Sequence, residues 1–132
     1  MSQEVPADLR FTKDHEWVRP GADAAVGVSA FAVEQLGDIT LVTLDVKVGD
    51  AVTTGKAFGT IESVKTLSDL FAPVSGKVVR VNSALVDKPE LVNDDCYERA
   101  WMVVIETADG AAATSSLLDP KAYAEHVKAA AH

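Results

Sequence analysis

Residues 58–79, "FGTIESVKTLSDLFAPVSGKVV", hold the side chain best placed for chemistry. Two arms rich in apolar and β-branched residues, "TIES" and "TLSDLF", meet at Lys65, and its small neighbours Ser63, Val64 and Thr66 leave the ε-amine open. Lysine is a nucleophilic amine on a flexible four-carbon stem. Fixed at the tip of a rigid hairpin, that amine can be found by a modifying enzyme. An amide formed there would end a long, mobile arm. This is the chemistry of a carrier: an attached group reacts and the protein presents it. The plain alternative is an ordinary surface lysine in a turn.

The other reactive residue types are placed less well. The acidic residues are scattered, with no spacing that marks an acid/base pair. His15, His126 and His132 lack metal-ligand spacing with one another or with a further ligand, so no metal is expected. "GDAVTTGKA" fails as a phosphate loop: its Gly-Lys pair comes one residue late, and Ala57 replaces the hydroxyl that would hold magnesium. Cys96 sits in "NDDCYERA" among carboxylates that raise a thiol's pKa, which suits a half-buried spectator. Ser29, Ser63, Ser68 and Ser75 have no nucleophile-elbow context. Such a set does not make a self-contained enzyme.

The chain has 132 residues, of which 48% are hydrophobic and 24% charged, which suits one folded domain with a real core. Its formal net charge is -8, from 20 acidic and 12 basic residues, which argues against a nucleic-acid partner. It fits docking on partners with basic surfaces. One cysteine permits no internal disulfide, so a reducing compartment is expected. No apolar run approaches the roughly 20 residues that cross a bilayer. The start, "MSQEVPADLRFTKDHEW", lacks a signal or transit pattern. The expected location is the cytoplasm of a bacterium, or the mitochondrial matrix if a presequence has been removed.

The elements that must position Lys65 are mostly short strands. "EWVRPGADAAVGV" reads as a hairpin turning at Pro20-Gly21. "SAFAVEQLGD" has helical spacing, with Ser29 as N-cap and Gly37 as the stop. "ITLVTLDVKV" reads as one strand up to Gly49, followed by the two arms around Lys65, a turn over Pro73–Gly76, and the strand "KVVRVN". "NSALVDKPELVNDD" reads as a polar loop with one helical turn, and "AWMVVIET" as a further strand. "ADGAAATSS" is a low-complexity linker. "LDPKAYAEHVKAAA" is a helix with Asp119 as N-cap and Pro120 at its first position. The expected domain therefore spans 1–132: a core over about 10–107, a linker over about 108–117 and a C-terminal helix over about 119–130. A strand, a Gly-centred turn and a Gly-Lys pair recur on both sides of Lys65, as a quasi-symmetric fold with the lysine near its axis would produce. Many short strands with flanking helices point to a β-sandwich or flattened barrel.

"ESVK" followed by "SDLFAPVSGKV" closely resembles the lipoyl-lysine segment of the glycine cleavage system H proteins. "FTKDHEWVR", "VGVSAFAVEQLGDIT", "VGDAVTTGKAFGTIES" and "LLDPKAYAEHV" resemble other segments of that family in the same order, over roughly residues 10 to 127. Two departures stand out, Cys96 for a usual proline and Ala100 for a usual glycine, both in the loop before "WMVVIE". The resemblance implies a mainly β, lipoyl-domain-like sandwich of two antiparallel sheets, with short flanking helices and a C-terminal helix. It implies lipoate in amide linkage to Lys65 and no catalysis by the chain itself. The implied partners are a pyridoxal-phosphate-dependent glycine decarboxylase, which loads an aminomethyl group, and a tetrahydrofolate-dependent aminomethyltransferase, which removes it. A flavin-containing dihydrolipoamide dehydrogenase then reoxidises the carrier, and lipoate-attaching enzymes install the group. A monomer suits such a shuttle.

The family is thought to park its loaded arm in a surface cleft beside carboxylates. By motif those positions are Glu16 in "DHEW" and Asp69 in "KTLSD", with Asp14 as a third candidate. A cationic amine between carboxylates is favourable in a partly dry site, and shelter from water slows hydrolysis of the adduct. Rival carriers fit less well: 2-oxoacid dehydrogenase lipoyl domains centre on "DKA"-like tips and biotin carriers on "MKM", against "VKT" here. An H-like protein that relays lipoate to other enzymes, or an interaction module with a bare lysine, would share much of this pattern.

Overall fold

The protein is described by a computed structural model covering residues 8–21, 23–107 and 117–130. Among these residues the chain forms nine strands: β1 (Arg10–Phe11), β2 (Glu16–Arg19), β3 (Asp23–Val28), β4 (Ile39–Leu44), β5 (Ala51–Val52), β6 (Ala57–Ser63), β7 (Leu67–Phe71), β8 (Gly76–Val81) and β9 (Val103–Glu106). Four helices interrupt them: α1 (Ala30–Leu36), α2 (Ala84–Asp87), α3 (Leu91–Asp94) and α4 (Pro120–Ala130). The strands build two antiparallel sheets, one in the order β1-β2-β3-β9-β8-β5 and one in the order β4-β6-β7. This is the mainly β, two-sheet architecture with short helices and a C-terminal helix. The segments flanking Lys65 pair in nested fashion, β6 with β7 and β5 with β8. No helix of the described residues is long and apolar enough to cross a membrane.

Local signals fix most boundaries. The β2–β3 hairpin turns at Pro20-Gly21, where Gly21 takes φ 149. Ser29 caps α1 by accepting the Ala32 amide, and Gly37 ends it at φ 81 with its own N–H bonded to the Val33 carbonyl. Asp119 Oδ1 accepts the Ala122 amide at 2.7 Å, which caps α4 ahead of Pro120. Three expectations need correction. β4 stops at Leu44, where the Asp45 amide turns to the Phe58 carbonyl; the residues to Val48 are not strand. The polar stretch 82–95 holds two helical turns, α2 and α3, each burying leucine on the core. Gly76 begins β8 and does not close the preceding turn. The Ala/Gly-rich stretch read as a linker lies outside the described residues over 108–116, as does His132.

The main core fills the space between the sheets and takes Val18, Val26, Val42, Phe58, Ile61, Leu70, Val78, Met102 and Ile105. Each such side chain contributes roughly 1.5–3 kcal/mol by leaving water. A second cluster of Leu9, Phe11, Trp17 and Tyr123 lies where α4 covers β1 and β2. β2 is therefore buried on both faces. Side chains alternate along a strand, so Trp17 faces α4 while Glu16 and Val18 point the other way, into the sandwich. A carboxylate is thus carried inside on an otherwise apolar strand, 3% exposed.

Candidate functional site

Lys65 stands at the end of the β6–β7 hairpin, and the chain before it makes that end rigid. The Ser63 amide donates to the Thr66 carbonyl at 2.8 Å, and Ser63 Oγ accepts the amides of Lys65 at 3.1 Å and Thr66 at 3.2 Å. A serine hydroxyl closing a turn on itself is a local interaction that needs no distant partner. The tip is also tied to the body: the Val64 amide donates to the Asp38 carbonyl at 3.1 Å. That acceptor is itself clamped. Asn93 of α3 accepts the Ile39 amide at 2.9 Å and donates to the Gly37 carbonyl at 2.9 Å. Lys65, Val64 and Leu67 remain exposed. The lysine stem leans over Gly37, where an added Cβ would meet Cε at 3.5 Å and Nζ at 3.9 Å.

Beside the tip, between α1 and β7, lies an open cleft of about 170 Å³. Val28, Ala32, Leu36, Ile61 and Leu70 give it apolar walls. Asp14, Glu16 and Asp69 all line it, so the three carboxylates named from sequence come together although the chain separates Asp69 from the others by more than fifty residues. Asp14 and Asp69 are exposed, while Glu16 is buried. Thr12 Oγ1 donates to Glu16 Oε1 at 2.6 Å, and the Phe71 amide donates weakly to Oε2 at 3.4 Å. Burial outweighs these bonds and pushes the Glu16 carboxyl up to about 7. Glu16 can accept a proton near neutrality, and the three carboxylates together can hold a cation.

Sequence reasoning missed His15, Gln35 and Ser68, which also line the cleft. His15 has φ 72, a left-handed backbone uncommon outside glycine. Ser29 holds it there, its amide donating to the His15 carbonyl at 2.9 Å. Burial and the nearby His126 lower the His15 pKa, and Asp14 works in the opposite direction. No spacing of residues announces such a role. Among the described residues no cluster of His, Cys, Asp or Glu could hold a metal ion. Cys96 is buried and free, and its thiol is pushed up to about 11, mainly by burial with Asp95 adding to it. Its carbonyl accepts the Trp17 indole N–H at 2.8 Å, a structural contact that uses its backbone alone.

Two antiparallel sheets that thrust a lysine out on a braced hairpin make a lipoyl-domain-like fold. The comparisons with known proteins narrow that class. The family model for the glycine cleavage H-protein matches residues 9–130. A glycine cleavage system H protein of Anaeromyxobacter sp. (strain K) is 48% identical over 126 residues, covering 95% of this chain and 97% of the relative. A probable glycine cleavage system H protein of Haloarcula marismortui is 46% identical over 129 residues, covering 97% of this chain and all of the relative. The crystal structure of a glycine cleavage system H protein from Mycobacterium marinum superposes with a TM-score of 0.82 at 36% identity, covering 97% of this chain. The chain belongs to the glycine cleavage H-protein family, the lipoyl carriers of the glycine cleavage system. Members of this family carry; they do not themselves catalyse the system's reactions.

Proposed function

We propose that Lys65 carries lipoate in amide linkage and that the cleft between α1 and β7 shelters the cationic amine of its aminomethyl cargo, with Glu16 and Asp69 as counter-charges and Asp14 as a third. The carrying observation is the buried Glu16 carboxyl, pushed up to about 7 and facing an open cleft next to the lysine hairpin. A carboxylate costs free energy in such a place unless a cation meets it there. The residues present fit the group: apolar walls suit the methylenes of an acyl arm, and the carboxylates suit an amine. When bound, lipoate supplies the reactive sulfurs. The protein supplies a fixed exit point, Lys65, with its stem leaning over Gly37 beside the α1 wall of the cleft.

The partners that follow are the pyridoxal-phosphate-dependent glycine decarboxylase, the tetrahydrofolate-dependent aminomethyltransferase, dihydrolipoamide dehydrogenase and the enzymes that attach lipoate. They meet the carrier in the cytoplasm, in keeping with its lone free cysteine. Intact mass and peptide mapping after expression with lipoate and its ligase test the attachment. One lipoyl group on Lys65, absent from Lys65→Arg, is expected. A bare Lys65 where another lipoyl protein is modified would refute it. For the cleft, the loaded adduct should hydrolyse faster in Glu16→Ala, and equal rates would remove Glu16 from the role.

A further inference from the structure

We infer that Tyr123 of the C-terminal helix is a positioning residue for this cleft, its single hydroxyl tying the α1 wall to the Asp14–Glu16 wall. The inference rests on the cleft reading above and extends it to α4, an element that does not line the cleft. Tyr123 is 1% exposed, and its ring stacks on Phe11 at 4.2 Å between centroids and 9° between planes. That stack explains why an aromatic ring is there. It does not explain the hydroxyl. The oxygen lies 2.6 Å from Ser29 Oγ and 2.8 Å from His15 Nδ1. Ser29 is the N-cap of α1, which supplies Ala32, Gln35 and Leu36 to one wall. His15 stands between Asp14 and Glu16 on the other.

Proton counting gives this bridge a direction. Ser29 Oγ accepts the Ala32 amide as a cap and is fully buried. Its own proton has an acceptor in the Tyr123 oxygen. The Tyr123 proton is then free to donate to His15 Nδ1, and both hydroxyl protons have acceptors. The reverse order would strand the Ser29 proton in the interior. The arrangement therefore holds His15 with its proton on Nε2 and a lone pair on Nδ1. It also keeps a second positive charge away from a cleft suited to a cationic amine. The groups that bear on this imidazole are Asp14 and Glu16 beside it, and Tyr123 and His126 from α4.

Tyr123→Phe removes the bridge and leaves the ring on Phe11. Phe11→Leu is its counterpart: it weakens the stack and leaves the hydroxyl. Imidazole nitrogen NMR of the unloaded protein at neutral pH should show His15 as one tautomer, protonated on Nε2, in wild type and Phe11→Leu, and as a mixture in Tyr123→Phe. In the aminomethyl-loaded, lipoylated protein, hydrolysis should quicken by about fivefold in Tyr123→Phe, the scale of the lost bond to His15 alone, and stay near wild type in Phe11→Leu. An unchanged tautomer in Tyr123→Phe, or adduct loss that merely follows the melting temperature in both variants, would overturn the inference. If the wild-type adduct hydrolyses as fast as free aminomethyl-lipoamide, the cleft reading itself fails. The tautomer result would still decide whether Tyr123 sets His15.

Discussion

Replacing Glu16 with glutamine turns the cleft's buried carboxyl into a stability measurement. Burial raises this group from 4.5 to about 7 in the folded chain, while hydrogen bonds from Thr12 and Phe71 pull the other way. In the unfolded chain it titrates near 4.5, so between these values the folded state binds more protons than the unfolded state. Stability then falls as pH rises through that window and levels off above about 7. A shift of that size is worth about 3 kcal/mol, most of which falls between pH 5 and pH 8.5. Glutamine does not ionise. Its carbonyl keeps the Thr12 bond, and it gives up only the long contact from the Phe71 amide at 3.4 Å. Glu16→Gln should therefore match wild type near pH 5 and exceed it by about 2 kcal/mol at pH 8.5. Urea unfolding followed by tryptophan fluorescence across this range reads the difference directly, because groups common to both proteins cancel. A difference that stays flat with pH would show that Glu16 is not ionised at a cost, and the reason for assigning the cleft a cation would go with it.

Gly59 lies in β6, where an added Cβ would collide with the Thr43 carbonyl of the neighbouring strand. Gly59→Ala should cost about 3 kcal/mol by overpacking against backbone, and a melting temperature near wild type would contradict this. Asn93→Ala removes both bonds that clamp the turn under the lysine hairpin. It should cost about 1 kcal/mol and speed hydrogen exchange at the Ile39 amide; unchanged exchange would refute the clamp. With a net charge of -8, docking on the proposed partner decarboxylase should slow as ionic strength rises. An apparent affinity that ignores salt would argue against electrostatic encounter.

What was legible in the sequence was local. Ser29, Gly37, Asp119 and Pro120 act on residues within one helical turn of themselves, and each does what its type and place imply. The arms around Lys65 pair with each other across a turn that Ser63 closes alone. The rest depends on distance along the chain. Neither β1 nor β5 has more than two residues, so no alternation could reveal them. α2 and α3 hide in a polar stretch because only single leucines and a valine anchor them. The three carboxylates were found through resemblance; spacing did not mark them. His15 could not be found that way either, since its partner Tyr123 lies 108 residues on.

Lys65 and Glu16 are informative for opposite reasons. An exposed lysine costs the fold nothing, so its place at a tip proves little until the bracing is seen: Ser63 within the turn, Asp38 beneath it, and Asn93 behind Asp38. Such rigidity is of no use to a solvated amine and of direct use to an arm that must enter a neighbouring cleft. Glu16 does cost the fold something. It sits on a strand whose Trp17 and Val18 are fully buried, where a neutral side chain of similar size would be more stable above neutral pH. Thr12 and Phe71 satisfy its oxygens but do not neutralise its charge. A destabilising charge aimed into an open space, next to a braced attachment point, makes physical sense when a cation visits that space for part of the working cycle. On the proposed function, the exposed amine tethers the cargo and the buried carboxyl receives it.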